Sequence, residues 1–319
     1  FIALAGLPAA VAMAAFMWAK VVVLAALVVG WWRRYVPRAS VIAVALLALY
    51  GANRSAQWDL AAGNVALFEC ALLYAAFDQW LHGRRVAFAA LVVAASLLKL
   101  TPAVFLLLLL VPLPGHAPRP GVFAAACALL AALVAGPMLV GPAAHFTPFF
   151  AHVPDATSYT ETNPSSLGFL TVSLSRLGFP WAQPAGLALW LAYGVALLTA
   201  SRAHLRETAR LQHGTRWLMT AVLLYVLIHP RVMAYGYVLA TPALLYFMPR
   251  PLAGRVGSLL LALVLCAQGL LVQLTNNMSG SVFVLYAPFL MTLSVWLLAA
   301  AQVPRATQAE IAEPARRAA

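Results

Sequence analysis

Few side chains in this 319-residue sequence can carry acid, base or ionic chemistry, because only 9% of its residues are charged. Among the eight acidic residues, Asp59 and Glu69 lie beside or inside apolar stretches, away from the arginine clusters. An acid inside a membrane-spanning segment costs roughly 2.5–3.5 kcal/mol and needs a partner. We therefore take Asp59 and Glu69 as candidate catalytic residues, and Lys20 as a candidate partner of Glu69.

Three basic side chains occur where an anion could bind. Lys99 lies in the motif Lys99-Leu100-Thr101-Pro102, at the centre of an apolar stretch, and His229-Pro230-Arg231 separates two further stretches. Lysine presents a point charge to a phosphate, whereas arginine can grip it through two parallel hydrogen bonds. These residue types predict a phosphate site formed by Lys99, His229 and Arg231.

The segment Asn163-Pro164-Ser165-Ser166-Leu167 has the pattern of a helix start. Asn163 can cap the helix with Pro164 at its first position, and leucines then recur at helical spacing until Gly178. We expect a short amphipathic helix on the membrane surface, with an N-terminus suited to an anion. The candidate substrate-binding residues are Arg54, Asn64, Asn163, Ser165, Ser166 and Tyr235.

Apolar segments must position these residues, because 64% of the chain is hydrophobic. This composition excludes an ordinary soluble enzyme and predicts an all-α polytopic transmembrane bundle with about 10–11 membrane segments. We expect a single domain over residues 1–303, with a long outer loop at 143–182 and a disordered tail at 304–319. The apolar stretches are 9–32, 39–52, 63–81, 86–112, 120–142, 183–201, 217–230, 233–248, 256–275 and 281–303.

Stretch 86–112 could be one kinked helix or a hairpin of two short helices that meet at Lys99-Leu100-Thr101-Pro102. The hairpin places 15 arginines on the cytoplasmic side against three outside, whereas a single helix gives about 7 against 11. Cytoplasmic loops are enriched in Lys and Arg, so the charges favour the hairpin. The net charge of +12 is therefore explained by arginines in cytoplasmic loops, and we expect no nucleic acid partner. The C-terminus is predicted to be cytoplasmic.

No motif for a metal or a cofactor is present in the sequence. The three cysteines, Cys70, Cys127 and Cys266, lie in apolar stretches without a CxxC spacing, which predicts neither disulfides nor a zinc site. A glycine-rich nucleotide loop is also missing. We expect no cofactor and no metal. The partners would be membrane lipids and the substrates themselves.

Several motifs, in this order, resemble glycosyltransferase family 87 of the GT-C superfamily, which is described as polyprenyl-phosphate-mannose-dependent alpha-(1→2)-mannosyltransferases. They are Gly63-Asn64, the segment Ala-Phe-Ala-Ala-Leu-Val at 87–92, Lys99-Leu100-Thr101-Pro102, Asn163-Pro164-Ser165-Ser166-Leu167, and His229-Pro230-Arg231 with Tyr235. The chain departs from the family at two places. Members often have Gly-Gln before the first Asn, where this chain has Gly63-Asn64 directly. In the outer loop they have Asn-Gln-Ser, where this chain has Asn163-Pro164-Ser165.

The resemblance implies a hexosyltransferase of a bacterial-type plasma membrane, with its site on the non-cytoplasmic face. It would move a hexose, mannose by preference, from a polyprenyl-phosphate donor to a glycan or glycolipid acceptor. The family's aspartate base lies in an outer loop that would precede Phe1, so we expect a chain truncated at its N-terminus that lacks this base. The alternative is a transporter or flippase for a lipid-linked or anionic substrate.

Overall fold

The computed structural model describes residues 6–112, 117–141, 163–210, 213–248, 254–274 and 286–301. These residues form helices and no strand, which confirms the all-α prediction. The tail at 304–319 and the loop residues 142–162 lie outside the described residues. The α-helices are α1 (Ala9–Arg34), α2 (Val41–Ala62), α3 (Ala66–Leu81), α4 (Arg85–Leu98), α5 (Pro120–Val140), α6 (Ser166–Arg176), α7 (Ala182–Arg210), α8 (Gly214–Ile228), α9 (Thr241–Tyr246), α10 (Arg255–Leu274) and α11 (Ala287–Ala301), and 3₁₀ helices cover Thr101–Leu110 and Ala234–Ala240.

Three of these helices are long and apolar enough to cross a membrane: α1, most of α5 and most of α7. Shorter apolar helices, α4 and α8 among them, accompany them. A 26-residue helix such as α1 extends about 39 Å, which exceeds the hydrocarbon core of about 30 Å. The chain is therefore an integral membrane protein of the polytopic kind.

Helix α2 is longer than the apolar stretch from which it was predicted. The hydropathy pattern ended this segment at residue 52 and left residues 53–59 for an outer loop, whereas the backbone stays helical as far as Ala62. That boundary is wrong, because no proline interrupts the segment. The helix ends only where Gly63 adopts the left-handed conformation, at φ 62°, which glycine reaches without a steric penalty.

The stretch around Lys99 forms the expected hairpin. Pro102 lacks an N–H group, and its ring would clash with the carbonyl of Leu98 in a continuous helix, so α4 ends and Lys99 is extended. Trp80 shows that the chain then turns back. Its ring lies 5.3 Å from the Arg85 guanidinium at the start of α4, and its Nε1 donates to the Leu108 carbonyl, 3.1 Å away, near the end of the 3₁₀ helix.

The bundle has two chemically different ends. At one end Arg34 pairs with Asp78 at 3.1 Å, and Trp80 packs on Trp217 with ring centroids 5.5 Å apart; we call this the arginine end. The opposite end carries the tip of the hairpin at Lys99 and the turn that follows α8. The charge pattern of the sequence predicted such a separation.

Helix α6 forms as predicted and ends at Gly178, where φ is 80°, but its cap was misassigned. The side chain of Ser165, and not that of Asn163, accepts the N–H of Gly168 at 3.1 Å. Asn163 and Pro164 lie outside the helix, which starts at Ser166. A Cβ on Gly168 would stand 2.2 Å from the Asn163 carbonyl oxygen, so this turn requires glycine. The predicted membrane-surface location of α6 remains a prediction.

Candidate functional site

A small cavity at the tip of the hairpin brings together four of the predicted residues. Glu69, Lys99, His229 and Arg231 line it, together with Thr101, Tyr225 and apolar side chains of α3 and the second 3₁₀ helix. Its space for water centres is about 30 Å³, which is room for about two waters. Sequence positions separated by up to 162 residues thus converge on one polar pocket inside an apolar bundle.

The backbone break presents Lys99 to this cavity. Its ammonium lies 5.6 Å from the centre of the Tyr235 ring, and such contact between a cation and an aromatic face is attractive. The Glu69 carboxylate on α3 also feels the charge of Lys99. Lys99 therefore has an aromatic neighbour and an acidic neighbour, and both hold its charge at the cavity.

His229 lies in the turn after α8, and its protonation state follows from its contacts. The backbone N–H of Arg231 donates to Nδ1 at 3.1 Å, so the proton of the neutral ring is on Nε2. Burial and the nearby Lys99 lower the pKa of His229 to about 4. At neutral pH the His229 ring is therefore neutral, with its N–H on Nε2.

The low pKa of His229 predicts a loss of stability in acid. Between about pH 6.5 and 4 the unfolded chain binds a proton at this site and the folded chain does not, so stability falls as the pH falls, with a slope approaching about one proton. His229→Gln should remove this contribution. Thermal unfolding midpoints of both proteins in detergent, measured from pH 4 to 8, test the difference. His213→Gln, at the arginine end, is the control. If the unfolding midpoints of wild type and His229→Gln depend equally on pH, His229 is not the source of the acid loss of stability.

Asp59 is not in the cavity. Its carboxylate pairs with Lys20 at 2.9 Å, and both side chains are fully buried. Oδ1 of Asp59 also accepts the N–H of Ala66, at 3.0 Å, while Lys20 donates to the Asp59 carbonyl. The predicted partnership of Lys20 with Glu69 is thus replaced by one with Asp59. Asp59 holds the start of α3, one turn before Glu69, and has no access to a substrate in this arrangement.

Asn163, Ser165 and Ser166 bind the end of α8 and do not line the cavity. Asn163 and Ser165 donate to the Pro230 carbonyl at 3.1 and 2.6 Å, and Ser166 donates to that of Leu227 at 2.8 Å. The last carbonyls of a helix lack partners within the helix, and Ser166 satisfies that of Leu227, while Asn163 and Ser165 satisfy the Pro230 carbonyl in the turn that follows α8. In the structure they support the turn that carries His229 and Arg231.

The remaining candidates are spread around the site. The side chain of Arg54 lies outside the described residues, although its backbone belongs to α2. Asn64 accepts the N–H of Val65 at 2.7 Å and does not line the cavity. The sequence analysis did not select Tyr225 or Thr101, both of which line it. Tyr225 precedes His229 by four residues on α8, and that helical spacing was the available signal.

An apolar groove begins beside the cavity. Thr101, Tyr225 and His229 line both spaces, and from there the groove runs between the first 3₁₀ helix, α7 and α8 to Leu205 and Trp217. Its volume is about 590 Å³. The indole of Trp190 on α7, at the cavity end, donates to the Ile228 carbonyl at 3.0 Å. A polar pocket and a long apolar groove thus lie side by side, with three lining residues in common.

One comparison with known proteins gives a match, and it agrees with a helical membrane fold. The family model of glycosyltransferase family 87 matches residues 1–230, a segment that contains α1 to α8 and all but one of the charged residues of the cavity. No curated protein and no solved structure matches the chain.

Proposed function

The chain belongs to glycosyltransferase family 87, and from that premise we propose that it moves a hexose, with mannose as first choice, from a polyprenyl-phosphate donor to a glycan or glycolipid acceptor. Family membership makes the protein a membrane glycosyltransferase. The sugar, the lipid donor and the acceptor are the parts that we propose.

The observation that carries the proposal is that the polar cavity and the apolar groove adjoin, with Thr101, Tyr225 and His229 lining both. A polyprenyl-phosphate sugar has a charged head and a long apolar tail. The head would lie against Lys99 and Arg231, and the tail along the groove past Tyr225. The cavity is too narrow for a sugar phosphate as it stands, so binding requires the exposed Arg231 and the half-buried Lys99 to swing aside.

The same residues can carry the chemistry. The acceptor oxygen attacks the anomeric carbon, the bond from that carbon to the phosphate oxygen breaks, and the phosphate leaves with the electron pair. Lys99, Arg231 and the Nε2–H of His229 would stabilise the charge that grows on the leaving group. Glu69, the carboxylate of the cavity, would take the proton of the acceptor hydroxyl.

We place the cavity on the non-cytoplasmic face. The support is the concentration of arginines at the opposite end, since Lys and Arg are enriched in cytoplasmic loops. A donor in the outer leaflet would then present its phosphate at the depth of Lys99. The C-terminus would be cytoplasmic, in a bacterial-type plasma membrane.

The experiment that tests the proposal is sugar transfer in membranes that contain the protein. Labelled mannose on a polyprenyl phosphate should appear in glycolipid or glycan, whereas labelled GDP-mannose should give no product once synthesis of the lipid donor is blocked. Transfer from the nucleotide sugar under that block would overturn the choice of donor.

Glu69→Gln tests the proposed base. It should lower kcat by about 10²–10⁴-fold, the usual contribution of a positioned base, and should leave the KM for the lipid donor nearly unchanged. Steady-state transfer kinetics check both quantities, and Glu207→Gln at the arginine end is the matched control. Full activity of Glu69→Gln would show that another group acts as the base.

The transporter or flippase alternative gains no support from the groove. An anionic head that crosses the membrane needs polar partners along its path. Within the described residues, the wall of the groove between His229 and Trp217 carries no charged side chain. The groove suits a lipid tail better than a moving phosphate.

A further inference from the structure

A cleft at the arginine end adjoins the far end of the groove. The cleft has a volume of about 480 Å³. Val111, Leu198, Leu205 and Trp217 line both the cleft and the groove, so the two spaces lie side by side. Among the described residues, the charged side chains that line the cleft are Arg202 and Arg206, and no acidic side chain lines it.

Arg202 and Arg206 stand one turn apart on the same face of α7. Both are exposed, and within the part of the chain that the structure describes neither side chain forms an ion pair or a hydrogen bond with another residue. Two guanidinium groups at this spacing can hold a phosphate between them by charge-assisted hydrogen bonds. The apolar wall beside them, formed by Leu198 and Leu205, suits an acyl chain.

We propose that this cleft binds an anionic phospholipid, with its phosphate between Arg202 and Arg206 and an acyl chain in the lower part of the groove. An apolar cleft that faces hydrocarbon is filled by lipid, and the pair of arginines selects the charge of the headgroup.

This lipid is distinct from the sugar donor. Trp190, at the cavity end of the groove, precedes Arg206 by 16 residues of α7, which is about 24 Å along the helix. A headgroup at Arg206 therefore sits close to the opposite membrane surface from one at Lys99. The proposal does not rest on the proposed function, and it predicts binding even to a protein without activity.

Lipid retention by the purified full chain tests the site. In native mass spectrometry from detergent, the wild type should retain phosphatidylglycerol about tenfold better than phosphatidylcholine, as expected for one strong charged contact. The double variant Arg202→Gln/Arg206→Gln should lose this preference. Arg202→Lys/Arg206→Lys keeps the positive charges but loses the bidentate hydrogen bonds of the guanidinium groups. This variant should keep only part of the preference for phosphatidylglycerol.

The control removes the same charge from the same end but outside the cleft. Arg33 and Arg38 are exposed near the end of α1, and Arg33→Gln/Arg38→Gln should keep the preference of the wild type. If both double variants lose the lipid preference equally, the preference comes from general surface charge, and the proposed site is wrong. Equal retention of the two lipids by the wild type would overturn the role of the arginines.

Discussion

Replacing Lys99 with methionine should slow sugar transfer by about 10²–10³-fold, the usual cost of removing one group that stabilises developing charge. Lys99 is the ammonium at the cavity, and it stands beside Glu69 and over the ring of Tyr235. Because the charge on the phosphate grows as the sugar departs, the loss should fall mainly on kcat. Initial rates with a labelled polyprenyl-phosphate sugar measure it.

Two further variants separate charge from structure. Lys99→Arg keeps a cation at the same place and should recover part of the rate. Leu100→Met changes the exposed neighbour in the same backbone break and should behave like the wild type. If Lys99→Met keeps more than half of the wild-type rate while its unfolding midpoint is unchanged, Lys99 has no part in the reaction.

Replacing Lys20 with methionine should lower the free energy of unfolding by about 3–5 kcal/mol, as expected when one member of a buried ion pair is removed. The carboxylate of Asp59 would then be buried without its cation. Asp59 also holds the N–H of Ala66, so α3 should loosen at the turn that carries Glu69, and transfer should weaken as well. Reversible unfolding in mixed micelles measures the stability.

The double variant Lys20→Met/Asp59→Asn is the informative control. Both charges are gone, and the Asn oxygen can still accept the N–H of Ala66, so most of the lost stability should return. Val21→Met, at a half-exposed position of α1, controls for methionine on this helix. Equal losses in the single and double variants would show that the pair contributes packing and not charge compensation.

Much of the fold was accessible from local features of the sequence. Apolar segments long enough to cross a membrane predict a helical bundle, because backbone N–H and C=O groups in lipid must find hydrogen-bond partners within their own segment. Pro102 predicts the break at Lys99, because a proline ring clashes with the preceding turn wherever the helix lies. The count of arginines predicted the hairpin, and with it the grouping of Lys99, His229 and Arg231 at one end.

The partners of the polar residues were not accessible in this way. Asp59 looked like a site residue until the structure placed it against Lys20, 39 positions away. Asn163 and Ser165 looked like ligands for a substrate, but they bind the Pro230 carbonyl. Several acceptors can satisfy a polar side chain, and the acceptor it meets depends on how the helices pack.

The sequence by itself therefore determined the class of the protein, the break at Lys99 and which residues could bear charge, because hydropathy, proline geometry and side-chain chemistry are local properties. Only the tertiary structure decided that Glu69 faces the cavity while Asp59 is sealed from it, and that the cavity adjoins an apolar groove at Tyr225. Those features depend on contacts between helices far apart in the chain, which hydropathy and local spacing do not specify.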